Sequence, residues 1–226
     1  MDSLTFIIPV YNDERSVAMV ITKSVAVGKK LRIPFRILVV NDASTDSSGK
    51  ILSRLALRMK HLTVITHTTN AGYGQTIKEL YASARTAWLF SLPGDYQIEP
   101  DQVTKLWPHR TDADMIIGWR INRRDSPLRL GQSRMYNTLL RTMFGLPIHD
   151  VNSARLMKTS IMKSIPLTTS SAFIDAELVI NALRAGFRIA EIPISHRARA
   201  GVGANGGKLT TILPTVMDMI KFFFGP

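Results

Sequence analysis

The chain has 226 residues, 45% of them apolar and 20% charged, a length and mixture that suit one α/β domain with a sizeable core. It contains no cysteine, which excludes disulfides, thiolate metal sites and a cysteine nucleophile, and which fits a reducing cytosol. Its 29 Lys and Arg outnumber 17 Asp and Glu, and the net charge of +12 points to nucleic acid, an anionic lipid surface or a phosphate-bearing substrate. The N-terminus carries no leader pattern, and no stretch reaches the roughly 18 apolar residues of a membrane span.

Apolar runs at 4–10, 35–40, 62–66, 87–92 and 115–119 read as strands. Between them, residues 14–27, 46–59, 75–85 and 101–107 repeat apolar side chains every three or four positions and read as helices. This alternation predicts a doubly wound, mostly parallel α/β sheet with helices on both faces. In the second half, 130–144 reads as a helix stopped by Gly145 and Pro147, 170–185 as a helix ending at Gly186, and 188–194 as one more strand. There is no repeat, low-complexity tract or linker, so the second half is expected to pack onto the same sheet.

Ligands of open α/β sheets bind beyond the carboxyl ends of the strands. Tyr11, Asn12 and Asp13 follow the first run, Asn41 and Asp42 the second, Asn70 the third and Asp95 the fourth, so one rim should gather amide, phenol and carboxylate groups. Asp112-Ala-Asp114 precedes its strand and is expected at the opposite rim as a solvated turn. In Ile7-Ile-Pro9-Val-Tyr11-Asn-Asp13-Glu and Asn41-Asp42-Ala-Ser-Thr-Asp46, a carboxylate at a strand end can accept the N–H groups of uracil or guanine, with Tyr11 offering its face to the base. An Asx-turn and a helix cap are the other reading; it suits Asp46, and nucleotide binding suits Asp42. Asn70-Ala-Gly72-Tyr-Gly74 stands before a helix and is either a turn or a loop whose small residues let amides approach a phosphate or sugar. No Gly-Lys-Ser/Thr occurs, so a P-loop is excluded. The five histidines show no metal-ligand spacing and read as ordinary surface or core residues.

These motifs, with Gly94-Asp95-Tyr-Gln97-Ile-Glu-Pro, Gly118-Trp-Arg120 and Glu191-Ile-Pro-Ile followed by His196-Arg197-Ala-Arg199, stand in the order found in family 2 glycosyltransferases of GT-A fold. The chain particularly resembles dolichyl-phosphate mannosyltransferase and bacterial polyprenyl-phosphate glycosyltransferases, over about residues 4–206. The resemblance implies a nucleotide-sugar half over 1–110, with Pro9, Tyr11, Asp13, Asp42, Asn70 and Gly72 around the donor. An acceptor half follows over 111–207, then a C-terminal amphipathic helix over 208–226. Relatives carry Asp-x-Asp in the fourth loop, often with a Gln two residues on, to hold a divalent cation on the donor diphosphate. Here Pro93 replaces the first Asp, which leaves Asp95 and Gln97 to hold Mg2+ or Mn2+ with phosphate oxygens and water, a weaker but chemically reasonable shell.

On the acceptor side, Arg120, Arg129 and Ser133 match the spacing of the residues that face a lipid phosphate in the resembling enzymes, and arginine's planar fork suits that anion. Arg197 and Arg199, in a Gly-rich loop read as a flexible lid, are given a similar phosphate role, and Asp150 matches a family Asp near the acceptor. Asp175 falls where relatives keep an acid close to the reaction centre. It is either a general base or, with Glu177, a carboxylate of a helix's first turn. The resemblance thus implies inverting transfer from a UDP- or GDP-linked sugar to a polyprenyl or dolichyl phosphate, by a cytoplasmic protein peripheral on the inner face of the cell membrane. Transfer to a saccharide or small-molecule hydroxyl, and a non-catalytic nucleotide-sugar binder, are the alternatives. A nucleic-acid partner is set aside because no binding motif accompanies the charge. Residues 212–224 are too short and too charged to span a bilayer; they would lie in its interface or pack on this domain, a second copy or a membrane-protein partner.

Overall fold

The computed structural model describes residues 2–198 and 209–225. Seven strands form one sheet: β1 (Leu4–Val10), β2 (Phe35–Asn41), β3 (Leu62–Thr66), β4 (Trp88–Ser91), β5 (Met115–Ile121), β6 (Arg155–Lys158) and β7 (Ile189–Ser195). Their spatial order is β3-β2-β1-β4-β6-β5-β7. The β1, β2, β3 and β4 pairings are parallel, as is β5 with β7, whereas β6 runs antiparallel to both β4 and β5. The expected strands are therefore present with ends shifted by one or two residues, and β6 is an addition. Its four residues, Arg-Leu-Met-Lys, carry a charge at each end that hides the apolar pair between them.

Alternate residues of β1 face opposite layers. Phe6, Ile8 and Val10 join Ile37, Val39 and Phe90 under α1 (Val17–Leu31) and α2 (Ser48–Ala56). On the other face Ile7, Leu38, Val40 and Leu89 meet Ile77 and Leu80 of α3 (Tyr73–Ser83), Leu140 of α5 (Pro127–Phe144), and Leu178 and Val179 of α7 (Ile174–Arg184). Burial on both faces is why the central strands read as continuous apolar runs. The helix expected at 101–107 is a short α4 (Val103–Leu106) between two 3-10 turns, and a one-turn α6 (Ile161–Ser164) follows β6.

Helix starts depart from the apolar pattern by a few residues, each for a local reason. Asp46 Oδ1 accepts the Ser48 amide at 2.9 Å in an Asx turn that leads into α2, whose cap position is Ser47 and not Asp46. Gly72 has φ +83°, a left-handed conformation that favours glycine, and turns the chain into α3. Ser171 Oγ accepts the Phe173 amide at 3.2 Å in the turn that precedes α7.

The last helix, α8 (Leu209–Phe224), lies against the α5 and α7 layer. Met219 is buried, and the Phe222 ring sits 5.4 Å from that of Phe173 and 6.0 Å from that of Phe144. Asp218 accepts the Ser171 amide at 3.2 Å. The packing reading of this segment thus holds for one of its faces. Leu213, Met217, Ile220 and Phe224, at helical spacing on another face, remain exposed. No described helix is long and apolar enough to cross a membrane.

Candidate active site

A cavity of about 660 Å3 opens at the carboxyl ends of β1, β2 and β4, beside β6 and the start of α7. Pro9, Tyr11, Asp13, Asp42, Asn70, Gly72, Asp95 and Gln97 all line it, together with Arg120 and Asp175. The loops after β1 and β2 are laced to one another. Asn12, at φ 56°, accepts the Thr45 amide on Oδ1 at 2.8 Å, Asp13 donates its amide to Ser48 Oγ at 3.0 Å, and Glu14 accepts the Ser47 amide at 2.9 Å. Tyr11 is left with an exposed ring at the mouth.

Asp42 is buried, and its carboxylate faces the loop after β3. Oδ1 accepts the Ala71 amide at 2.7 Å and Oδ2 the Gly72 amide at 2.9 Å, while Asn70 Nδ2 donates to the Asp42 carbonyl at 3.1 Å. Asp42 therefore builds the cavity wall that the Gly-rich loop completes. Gly74 is required by close approach, since a Cβ there would lie 2.1 Å from the Ser170 carbonyl oxygen.

In the fourth loop, Asp95 Oδ1 accepts the Gln97 amide at 2.9 Å, and Tyr96 takes φ +61°. Gly94 packs against Asp13, whose Oδ2 would be 3.1 Å from an added Cβ, so two carboxylates border the same stretch of cavity. No group of three or more His, Cys, Asp or Glu forms a ready-made metal cluster among the described residues. The Asp95 carboxylate and the Gln97 amide still fit a hard divalent cation, which commonly takes one or two protein oxygens and completes its shell with phosphate and water.

Arg155 is the charged cavity residue that the sequence reading missed. It begins β6, is almost wholly buried, and places Nη2 2.8 Å from Asp175 Oδ1 while also donating to the Val151 carbonyl at 3.1 Å. Tyr73 OH donates to Asp175 Oδ2 at 2.9 Å. Burial pushes the Asp175 carboxyl above its ordinary value, against the pull of Arg155 and Tyr73. Asp175 thus stands in the first turn of α7, as one of the two readings expected, but it is buried and paired in the cavity instead of solvated. Glu177 differs, for it accepts the amides of Thr168 and Thr169 at 2.6 and 2.9 Å and serves as a structural clamp. The missed signal was Asn152-Ser-Ala-Arg155. An antiparallel strand brings its start, and not its end, to the ligand rim, with Arg155 paired in register to Ser91 at the end of β4.

The acceptor candidates are spread more widely. Arg120 forms a two-pronged pair with Asp150, Nε to Oδ2 and Nη2 to Oδ1 both at 2.7 Å. Burial opposes the Asp150 charge, but Arg120 outweighs it and holds the carboxyl below its ordinary value. Ser133 accepts from Arg123 Nη1 at 2.7 Å, and both line a second cavity of about 510 Å3 with Arg120, Asp150 and His149. Arg129 sits 3.4 Å from Asp125 and lines neither cavity. Arg197 pairs with Glu99 at 2.9 Å and lines a separate hollow of about 460 Å3. Arg199 and most of the Gly-rich segment lie outside the described residues. Asp114, as expected, is at the opposite rim, although it is no free turn residue: it binds Lys158 Nζ at 2.7 Å and the Arg188 amide at 2.9 Å.

The model of the family described as Glycosyl transferase family 2 matches residues 5–165. The chain belongs to this family. Among family 2 relatives, dodecaprenyl-phosphate galacturonate synthase of Rhizobium johnstonii is 27% identical over 233 residues, covering 98% of this chain and 66% of its own length. Undecaprenyl-phosphate 4-deoxy-4-formamido-L-arabinose transferase of Pseudomonas paraeruginosa is 29% identical over 206 residues, covering 88% of this chain and 59% of its own. The chain thus spans less than two thirds of the length of these curated relatives. Glucosyl-3-phosphoglycerate synthase from Mycobacterium tuberculosis, solved with Mn2+, UDP-glucose and phosphoglyceric acid, superposes with a TM-score of 0.77 over 100% of this chain and 81% of that one. At 14% identity this likeness concerns the fold, which is GT-A.

Proposed function

We propose that the protein is an inverting glycosyltransferase that moves a sugar from a UDP- or GDP-linked donor to a polyprenyl or dolichyl phosphate at the inner membrane face. The observation that carries this reading is the convergence of the donor-side residues of four strand ends with Arg120, Arg155 and Asp175 on one cavity. The names of the curated relatives, each a polyprenyl phosphate and a sugar, support the acceptor class.

In this reading the β1 and β2 loops hold the nucleoside, and the amide-rich loop before α3 lies near the diphosphate. Asp95 and Gln97 would hold Mg2+ or Mn2+, which when bound neutralises the charge that grows on the leaving diphosphate. An oxygen of the lipid phosphate bonds to the anomeric carbon from the face opposite the diphosphate. The bond from that carbon to the diphosphate oxygen breaks, and its electron pair leaves with the nucleoside diphosphate. The attacking oxygen is already anionic, so no proton has to be removed. Transfer to a sugar hydroxyl is the second reading, favoured by Asp175, whose upshifted carboxyl in the cavity is suited to take the hydroxyl proton.

Membrane association is supported by the unpartnered apolar faces. Leu128, Met135 and Leu139 of α5, with Leu213, Met217 and Ile220 of α8, are exposed, and the exposed Arg124 and Arg134 in the same part of the chain would suit anionic headgroups. The test is a transfer assay with a panel of UDP- and GDP-sugars, Mn2+, and undecaprenyl phosphate in anionic vesicles. A glycosyl-phosphate lipid is the expected product. Transfer only to soluble saccharides selects the second reading, and nucleotide-sugar binding without turnover selects a non-catalytic binder.

A further inference from the structure

His67 follows β3, and its imidazole stands between two carboxylates on different elements. Nδ1 lies 2.8 Å from Asp42 Oδ1 at the end of β2, and Nε2 lies 2.6 Å from Glu79 Oε2 within α3. The ring is 16% exposed and the Asp42 side chain 5%. A neutral imidazole has one N–H and one lone pair, so it can donate to only one of two carboxylates, whereas an imidazolium donates to both. Asp42 and Glu79 are the charged groups that face the ring from the elements around it. Hydrogen bonding to Glu79, then to Asp42, holds the ring above its ordinary 6.5 against burial.

The position of this ring gives it leverage over the cavity. The same Asp42 carboxylate that receives Nδ1 also receives the Ala71 and Gly72 amides. Asp42, Asn70 and Gly72 line the cavity, whereas His67 and Glu79 do not. The imidazole thus sits behind the wall, joining β2 to α3 and neutralising the carboxylate that organises the loop.

We propose that His67, as an imidazolium clamped between Asp42 and Glu79, is a positioning residue that holds the nucleotide-binding wall of the cavity in its binding geometry. This rests on the donor-cavity reading above. When the ring loses its proton, one carboxylate faces a lone pair, the hold on residues 70–72 slackens, and nucleotide affinity falls with rising pH. The step affects donor binding and leaves the chemical step alone, so it belongs to KM and not to kcat.

Two measurements test the proposal and separate it from the donor reading. In 15N-histidine NMR of the ligand-free protein, assigned with His67→Gln, both His67 ring nitrogens should carry protons at pH 7, with a titration above 6.5. An unprotonated nitrogen at pH 7 overturns the proposal alone. In calorimetry with UDP and with GDP plus Mn2+ between pH 6 and 9, the wild type should lose about tenfold in affinity across the His67 titration, as expected for one charge-assisted contact. Glu79→Gln, outside the cavity, should shift that midpoint downward, and His67→Gln should bind weakly with a flat profile. An unmoved midpoint in Glu79→Gln, or a sloping profile in His67→Gln, also overturns the proposal. If neither nucleotide binds the wild type at any pH, the donor reading falls and the positioning role falls with it.

Discussion

Replacing Arg155 by Met would leave Asp175 as a buried carboxylate without its cation. The two side chains are only 2% and 7% exposed, so solvent screens the 2.8 Å pair very little. Breaking one side of such a pair costs about 3–5 kcal/mol, whereas replacing both partners by apolar groups of similar volume is often near neutral. Arg155→Met should therefore lower unfolding free energy by about 3–5 kcal/mol. The double variant Arg155→Met/Asp175→Leu should recover much of the loss. Urea denaturation at pH 7, with unchanged slopes, measures all four corners of the cycle, and a coupling of about 2 kcal/mol or more is expected. The single variant should also become more stable as pH falls relative to wild type, because its carboxyl, already pushed up by burial, is protonated more readily once the arginine is gone. A cost below about 1 kcal/mol, or an additive cycle, would falsify the assignment of Arg155 and Asp175 as one buried ionic unit.

Other changes probe the rest of the site. Asp95→Ala should abolish transfer and remove the metal dependence of nucleoside diphosphate affinity by calorimetry, and Pro93→Asp should strengthen that dependence by supplying a second carboxylate. Gly74→Ala should destabilise the fold by roughly 1–3 kcal/mol in denaturation, because its Cβ would meet the Ser170 carbonyl at 2.1 Å. His196 is buried and its ring is pushed down to about 4, by burial first and then by Arg120. The unfolded chain takes up that proton from 6.5 downward while the folded chain does not, so stability should fall by up to about 3 kcal/mol between pH 6.5 and 4. His196→Phe should flatten this limb; an unchanged slope would place the acid sensitivity elsewhere.

The donor side was legible in the sequence because parallel strands deliver their following residues to one rim. Tyr11, Asp13, Asp42, Asn70 and Asp95 each fall in the loop that follows an apolar run, and the cavity gathers all of them. The acceptor side was legible in part, as the spaced Arg120, Ser133 and Asp150 within an excess of arginine. Which arginines are held by partners depends on Asp125, Asp150, Asp175 and Glu99, residues that are distant in sequence from most of them or carry no pattern of their own.

Apolar periodicity, glycine placement and the ordered motifs by themselves determined the layered α/β architecture, the ligand rim and the family, because each is a property of neighbouring residues along the chain. Only the tertiary structure decided that β6 inserts backwards between β4 and β5, and that it carries Arg155 to Asp175. Only the fold, likewise, set His67 between Asp42 and Glu79, and laid one face of α8 on Phe144 and Phe173. The physical reason is that each is a meeting made by packing between segments far apart in the chain, and a buried charge is tolerated only where such packing brings an opposite charge to it.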